Sequence, residues 1–157
     1  MASGNPGAVH YDPFTTGDSS LSSCIEAIIA AQTGDMDKAS RYGMAALLMD
    51  LADVGGNVKD GCHVASMGGT WMMLIYGFGG MRDNDGTLSF WPRRAPQDNG
   101  ILRFPLTYRG QLLEVEIGLD NVEYALREGN ALTIRHETEQ IHLTPENPVV
   151  TRPVGKR

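Results

Sequence analysis

At 157 residues the chain has the length of one average domain, or of two small pieces sharing a core. Its 41% hydrophobic and 20% charged residues are those of an ordinary soluble globular protein. With a formal net charge of −6, and Arg93–Arg94 as the one pair of adjacent arginines, it lacks the basic stripe that nucleic-acid binding requires.

Nineteen glycines and eight prolines are too many for a helical bundle throughout, so part of the chain must be turn-rich and β. Cys24 and Cys62 stand in apolar contexts and need not pair, which points to a reduced, cytoplasmic setting. The opening "MASGNPG" carries no targeting pattern, and residues 1–10 read as a flexible or expression-derived lead.

From residue 11 to about 80 the pattern is helical. In "SLSSCIEAIIAAQTG", Leu21, Ile25, Ile28 and Ile29 recur on one helix face, with Asp18 or Ser19 as N-cap and Gly34 as the stop. In "DMDKASRYGMAALLMDLAD", Asp35 caps and Met44, Leu47, Leu48 and Leu51 form the apolar side. The short link predicts an antiparallel hairpin of these two helices. A glycine-rich loop, "VGGNVKDG", leads into a third helix from about Val64 to Phe78.

Residues 64–81 hold no charge, a span long enough to suggest a membrane helix. Five glycines, Ser66 and Thr70 interrupt it, and a buried helix is the better reading. A helix apolar nearly all round needs enclosing neighbours. Three helices cannot enclose one of themselves, so the pattern is that of a piece of something larger.

After Gly80 the period becomes two. "TLSFWP", "LRFPLTYRG", "QLLEVEIG", "NVEYALRE", "ALTIRHE", "EQIHLTP" and "PVVTRP" predict seven short strands in a sandwich or jelly-roll-like module, with "YRGQ" and "REGNA" as hairpin turns.

Several motifs fail on chemistry. Cys24, Cys62, His10 and His63 have no zinc-ligand spacing, so no metal is expected. Ser66 lacks the G-x-S-x-G turn of a serine nucleophile, having Val64 at the first position. "GFGGMR" ends a helix instead of joining a strand to one, and reads as a C-cap.

Two constellations remain. In "TTGDSSLS", Asp18, Ser19 and Ser20 are first of all helix-capping residues, whose spare hydroxyls and amides could hold a sugar or an anion. In "HVASMGG", the amides of a helix start, two glycines permitting close approach and the His63 side chain suit an anion. The alternative is that Gly68 and Gly69 only permit tight packing and His63 is a satisfied core residue. The residues by themselves leave both readings open.

"TGDSSLS", "DGCHVASMGGTW" and "YGFGGMR" stand in the order and spacing of glycoside hydrolase family 65, and residues 11–118 resemble its C-terminal part. That family contains maltose, trehalose and kojibiose phosphorylases and some related hydrolases. The resemblance implies an α+β arrangement: the last helices of an (α/α)6 catalytic barrel over 11–80, then an antiparallel β-sandwich domain over 81–157. It also implies inverting attack of phosphate, a co-substrate, on an α-glucoside, with no cofactor.

The family's acid glutamate and its Lys-Gln pair fall upstream. Lys38, Lys59 and Lys156 are followed by Ala, Asp and Arg. What carries over is a phosphate cradle at His63, Ser66, Gly68 and Gly69 and an active-site loop at Asp18, Ser19 and Ser20. This chain alone is expected to be inactive, since a general acid contributes about 10²–10⁴-fold. The partners expected are a disaccharide, phosphate and a second copy of the chain, with neither membrane nor nucleic acid. A trehalase-like hydrolase of the same family is the alternative. A non-catalytic carbohydrate-binding module is disfavoured because residues 80–157 offer one tryptophan, Trp91.

Overall fold

A computed structural model describes residues 19, 21–53, 56, 58–95 and 99–155. The chain divides into two compact units, Met1–Phe78 and Gly79–Arg157.

The first unit is helical. Helix α1 spans Ser22–Thr33 and ends where Gly34, at φ 86°, turns left-handed and donates its N–H to Ala30 and Ala31. Its N-cap is Leu21, which has no side-chain cap; Ser19 Oγ instead accepts from Leu21 N at 3.3 Å. Asp18 lies outside the described residues. Helix α2, Met36–Leu47, opens with Asp35 accepting from Lys38 N at 3.0 Å. A 3₁₀ turn at Val58–Asp60 precedes helix α3, Val64–Met72, which widens into a π-helical turn over Met73–Phe78.

The large apolar residues that mark the helix faces in the sequence are not the ones that bring the helices together. Leu21, Ile25, Ile29, Met44, Leu47, Leu48 and Leu51 are exposed, Leu51 to 86%. The buried residues are small: Cys24, Ala27, Ala30 and Ala31 on α1, and Ala39, Gly43 and Ala46 on α2. They pack with Met73, Tyr42, Leu74 and Phe78. Short side chains let the helix axes approach closely, so small residues occupy the seam and the large apolar residues turn outward. On α3, Val64, Met67, Trp71 and Met72 are likewise exposed, whereas Ile75 in the following turn is buried.

Apolar surface of that extent seldom stays in water. The isolated chain should therefore self-associate through these residues. Sedimentation should show a mass that grows with concentration, and a strict monomer at high concentration would contradict it.

The second unit is β. Strands β1 (Ser89–Phe90), β2 (Leu102–Tyr108), β3 (Gln111–Ile117), β4 (Asn121–Glu128), β5 (Leu132–His136), β6 (Glu139–Leu143) and β7 (Val149–Pro153) fall on the seven segments expected. They form a four-stranded antiparallel sheet, β2-β3-β4-β7, and a three-stranded sheet, β1-β5-β6, in which β1 pairs with β5 in parallel. Pro105 and Pro153 sit on the edge strands β2 and β7, where a missing N–H is tolerated. "YRGQ" is a hairpin turn, with Arg109 and Gly110 both at positive φ, 51° and 76°. "REGNA" is not: β4 and β5 belong to different sheets, so this segment crosses between them.

The two sheets share a core in which the Phe90 and Tyr124 rings lie 5.2 Å apart. Within it Tyr124 Oη donates to His136 Nδ1 at 2.7 Å, and His136 Nε2–H donates to the Pro153 carbonyl at 3.1 Å. Burial pushes the Tyr124 hydroxyl's pKa up and the His136 ring's down, so the neutral pair is the folded form. A histidine depressed in the fold contributes stability that is fully present above its ordinary value of 6.5 and declines as pH falls below it. Melts of the β unit should show that decline as pH falls below about 6.5, and His136→Phe should flatten it. An unaltered pH slope in the variant would assign the effect elsewhere.

Candidate functional site

The "HVASMGG" segment forms the start of α3, with His63 as its N-cap. Asp50, in the turns that follow α2, reaches this point across 13 residues of chain. Its Oδ2 accepts the His63 main-chain N–H at 2.9 Å, and its Oδ1 accepts from the ring Nδ1 at 2.6 Å. Both groups are partly sheltered, with side-chain exposures of 22% for His63 and 14% for Asp50. The histidine's hydrogen bond is the main reason the Asp50 carboxyl is held below the usual carboxylate range.

A carboxylate can only accept, so Nδ1 carries the proton and Nε2 becomes the ring's outward nitrogen. Among the described residues Nε2 has no hydrogen-bond partner. His63 is thus neither a core residue nor a helix-capping side chain. It is an imidazole clamped at Nδ1, with Nε2 unpartnered among the described residues.

The other three cradle residues divide between two faces of α3. Ser66 is buried, and its carbonyl accepts from the Cys24 thiol of α1 at 3.7 Å. Burial raises the Cys24 pKa, opposed by side-chain hydrogen bonds from Thr70 and Ser66, so the serine hydroxyl also addresses α1. Gly69, one turn on, lies on the same face. A Cβ there would stand 2.7 Å from Cys24 Sγ and 3.2 Å from Leu21 Cδ2. Gly68 is exposed, and nothing lies within 4 Å of where its Cβ would be. In the second turn, its amide belongs to the helix's own hydrogen-bond ladder. Gly68 can give a ligand room but not an N–H.

The two glycines therefore predict opposite effects. An exposed helical glycine replaced by alanine stabilises by about 1 kcal/mol. Gly68→Ala should do so in the isolated chain. Gly69→Ala should lower the melting temperature, because Cys24 and Leu21 must yield to the new methyl. Equal effects at the two positions would remove the distinction.

Of the loop residues, Asp18 and Ser20 lie outside the described residues, and Ser19 is exposed. Among the described residues no group of three or more His, Cys, Asp or Glu side chains could hold a metal ion. No helix among them is long and apolar enough to cross a membrane. Asp50 was missed from sequence; nothing in its spacing from His63 marks the pair.

Residues 5–72 match the glycosyl hydrolase family 65 central catalytic domain, and residues 81–143 match that family's C-terminal domain. The chain belongs to glycosyl hydrolase family 65. Among its relatives is the α,α-trehalose phosphorylase of Thermoanaerobacter brockii, 44% identical over 134 residues, which are 85% of this chain and 17% of that protein. The kojibiose phosphorylase of Halothermothrix orenii is 38% identical over 113 residues, 72% of this chain and 14% of that protein. A solved structure described as a kojibiose phosphorylase from human microbiome superposes with a TM-score of 0.85 at 29% identity, over 93% of this chain and 19% of that one. The family 65 chain thus spans less than a fifth of the length of these relatives. The α3 segment lies in the part matched to the catalytic domain, and the β unit carries the match to the C-terminal domain.

Proposed function

We propose that the protein to which this chain contributes is an inverting disaccharide phosphorylase, and that α3 presents part of its phosphate site. Phosphate attacks the anomeric carbon of an α-linked glucosyl unit from the side opposite the leaving sugar. A glutamic acid outside this chain, implied by the family resemblance, protonates the leaving oxygen. The products are β-glucose 1-phosphate and the freed sugar. This chain's own contribution is binding: His63 directs Nε2 toward a phosphate oxygen at a helix start, whose dipole favours an anion. Gly68 leaves the adjoining helix surface open, while Ser66 and Gly69 seat α3 against α1. The barrel-mouth role of Asp18, Ser19 and Ser20 belongs to the same proposal.

The observation that carries this reading is the clamped His63 ring with its unpartnered Nε2, inside the segment matched to the catalytic domain. The phosphorylase names of the trehalose and kojibiose relatives support it over hydrolysis. Two unpaired cysteines, one buried and one exposed, support a reducing cytoplasmic location.

The test is product analysis with the whole protein on trehalose, kojibiose and maltose. Sugar release that requires phosphate and yields β-glucose 1-phosphate is the expected result, with trehalose the substrate tried first. Equal release of free glucose without phosphate would make the protein a hydrolase and leave His63 without its assigned ligand.

A further inference from the structure

We propose that Asp50 is a positioning residue for phosphorolysis: it holds His63 by the main-chain N–H and by ring Nδ1, and so commits Nε2 to phosphate. The inference rests on the phosphate reading above and adds to it a residue that touches neither substrate.

The geometry contains two separable functions. The bond from His63 N to Asp50 Oδ2 (2.9 Å) ties the helix start to the turns after α2. It satisfies one of the amides that no helical carbonyl can reach. The bond from Nδ1 to Oδ1 (2.6 Å) does something a structural cap need not do. With the main-chain N–H fixed by the same carboxylate, the residue is held at two points, and the ring cannot flip without breaking the bond at Nδ1. An unrestrained histidine would exchange its two nitrogens between ligand and protein. Here Nδ1–H is consumed by the carboxylate, and only Nε2 can meet an incoming oxygen.

Asp50 also supplies a negative charge on the side of the ring away from the ligand. When Nε2 bears a proton, the imidazolium lies between two anions, the carboxylate and phosphate, and each of its N–H groups donates to one of them. A carboxylate behind a histidine fixes the orientation of the ring, as it does where histidine meets a metal. Asp50 is sheltered enough for this to act, and among the described residues no other cation bonds to it.

Asp50→Asn is the informative variant. It keeps an acceptor oxygen for the His63 main-chain N–H, and hence the helix start, while removing the charge. In the whole protein it should raise the phosphate KM by about tenfold and leave the disaccharide KM within about twofold, because the amide NH2 that replaces Oδ1 can no longer accept from Nδ1–H. Asp50→Ala should raise it further. On a His63→Ala background, Asp50→Asn should add nothing, because the two residues act as one unit.

A strong effect of His63→Ala with none from Asp50→Asn or Asp50→Ala would overturn the positioning role and leave the phosphate site intact. So would additive effects in the double variant. No effect of His63→Ala itself would remove the phosphate reading, and this inference with it. Thermal melts distinguish loss of fold: should Asp50→Asn melt as the parent does while its phosphate KM is unchanged, the clamp is only a helix cap.

Discussion

Gly80→Ala should be among the most damaging single substitutions in the β unit. Gly80 has φ +62°, and a Cβ at that position would stand 2.0 Å from the Trp91 carbonyl oxygen, 2.4 Å from its carbon and 2.8 Å from its nitrogen. All three are main-chain atoms of the residue that follows β1, and Trp91 N donates to Gly80 O at 3.1 Å. No side-chain rotation can relieve such a clash. The backbone must part, which breaks that hydrogen bond and shifts β1 from its parallel pairing with β5. A loss of about 3 kcal/mol is expected, at the upper end of ordinary point mutations. For a unit of this size that lowers the melting temperature by roughly 10–20 °C.

The control is Gly110, at φ +76° with nothing within 4 Å of its Cβ position. Alanine there meets only the left-handed backbone strain of about 1–2 kcal/mol. Calorimetry of the two variants separates clash from strain. Equal losses would mean that the close approach at Trp91 relaxes at no cost.

How far this fold could be read in advance depended on which physical signal each element carries. All seven strands were legible because alternation at a period of two, punctuated by Gly, Asn and Pro, is a local signal. Gly34 and Asp35 were legible for the same reason: a helix stop and a cap act within a few residues of themselves. The buried helix faces were not. Periodicity detects that Leu21, Ile25 and Ile29 share a face, but not what meets that face. Within this chain, the close-packing rows of Cys24, Ala27 and Ala31 decide the contact, and the larger residues await other surfaces.

The β4–β5 connection shows the same limit. "REGNA" has the composition of a hairpin turn, yet its flanking strands join different sheets, a matter of long-range pairing. Conversely, the β5–β6 hairpin turns at Glu137–Thr138 with Glu137 at φ 54°, and no glycine announces it. In the site, His63 and the glycine pair were conspicuous by type, and the family resemblance named them. Which of them pack against α1 was not legible, because Ser66 and Gly69 differ from Gly68 only by the angle at which they leave the helix. Asp50 lay beyond any spacing rule, since the loop that brings it to His63 has no regular period.

His63→Ala in the whole protein tests the account most directly, because one side chain carries the assigned contact to phosphate. Hydrogen bonds to charged groups contribute about 1.5–3 kcal/mol, so the phosphate-dependent step should weaken by roughly tenfold to a hundredfold. Disaccharide binding should change far less, since the contact proposed for His63 is to phosphate. Removing the ring leaves Asp50 with one of its two bonds, the His63 main-chain N–H, so the helix start should persist and the melting temperature should move little. The measurement is phosphate saturation at fixed, saturating disaccharide, parent against variant. The account predicts a curve displaced to tenfold or more higher phosphate, with a reduced rate. Superimposable curves would contradict it, leaving His63 a packing residue and the helix start no part of the phosphate site.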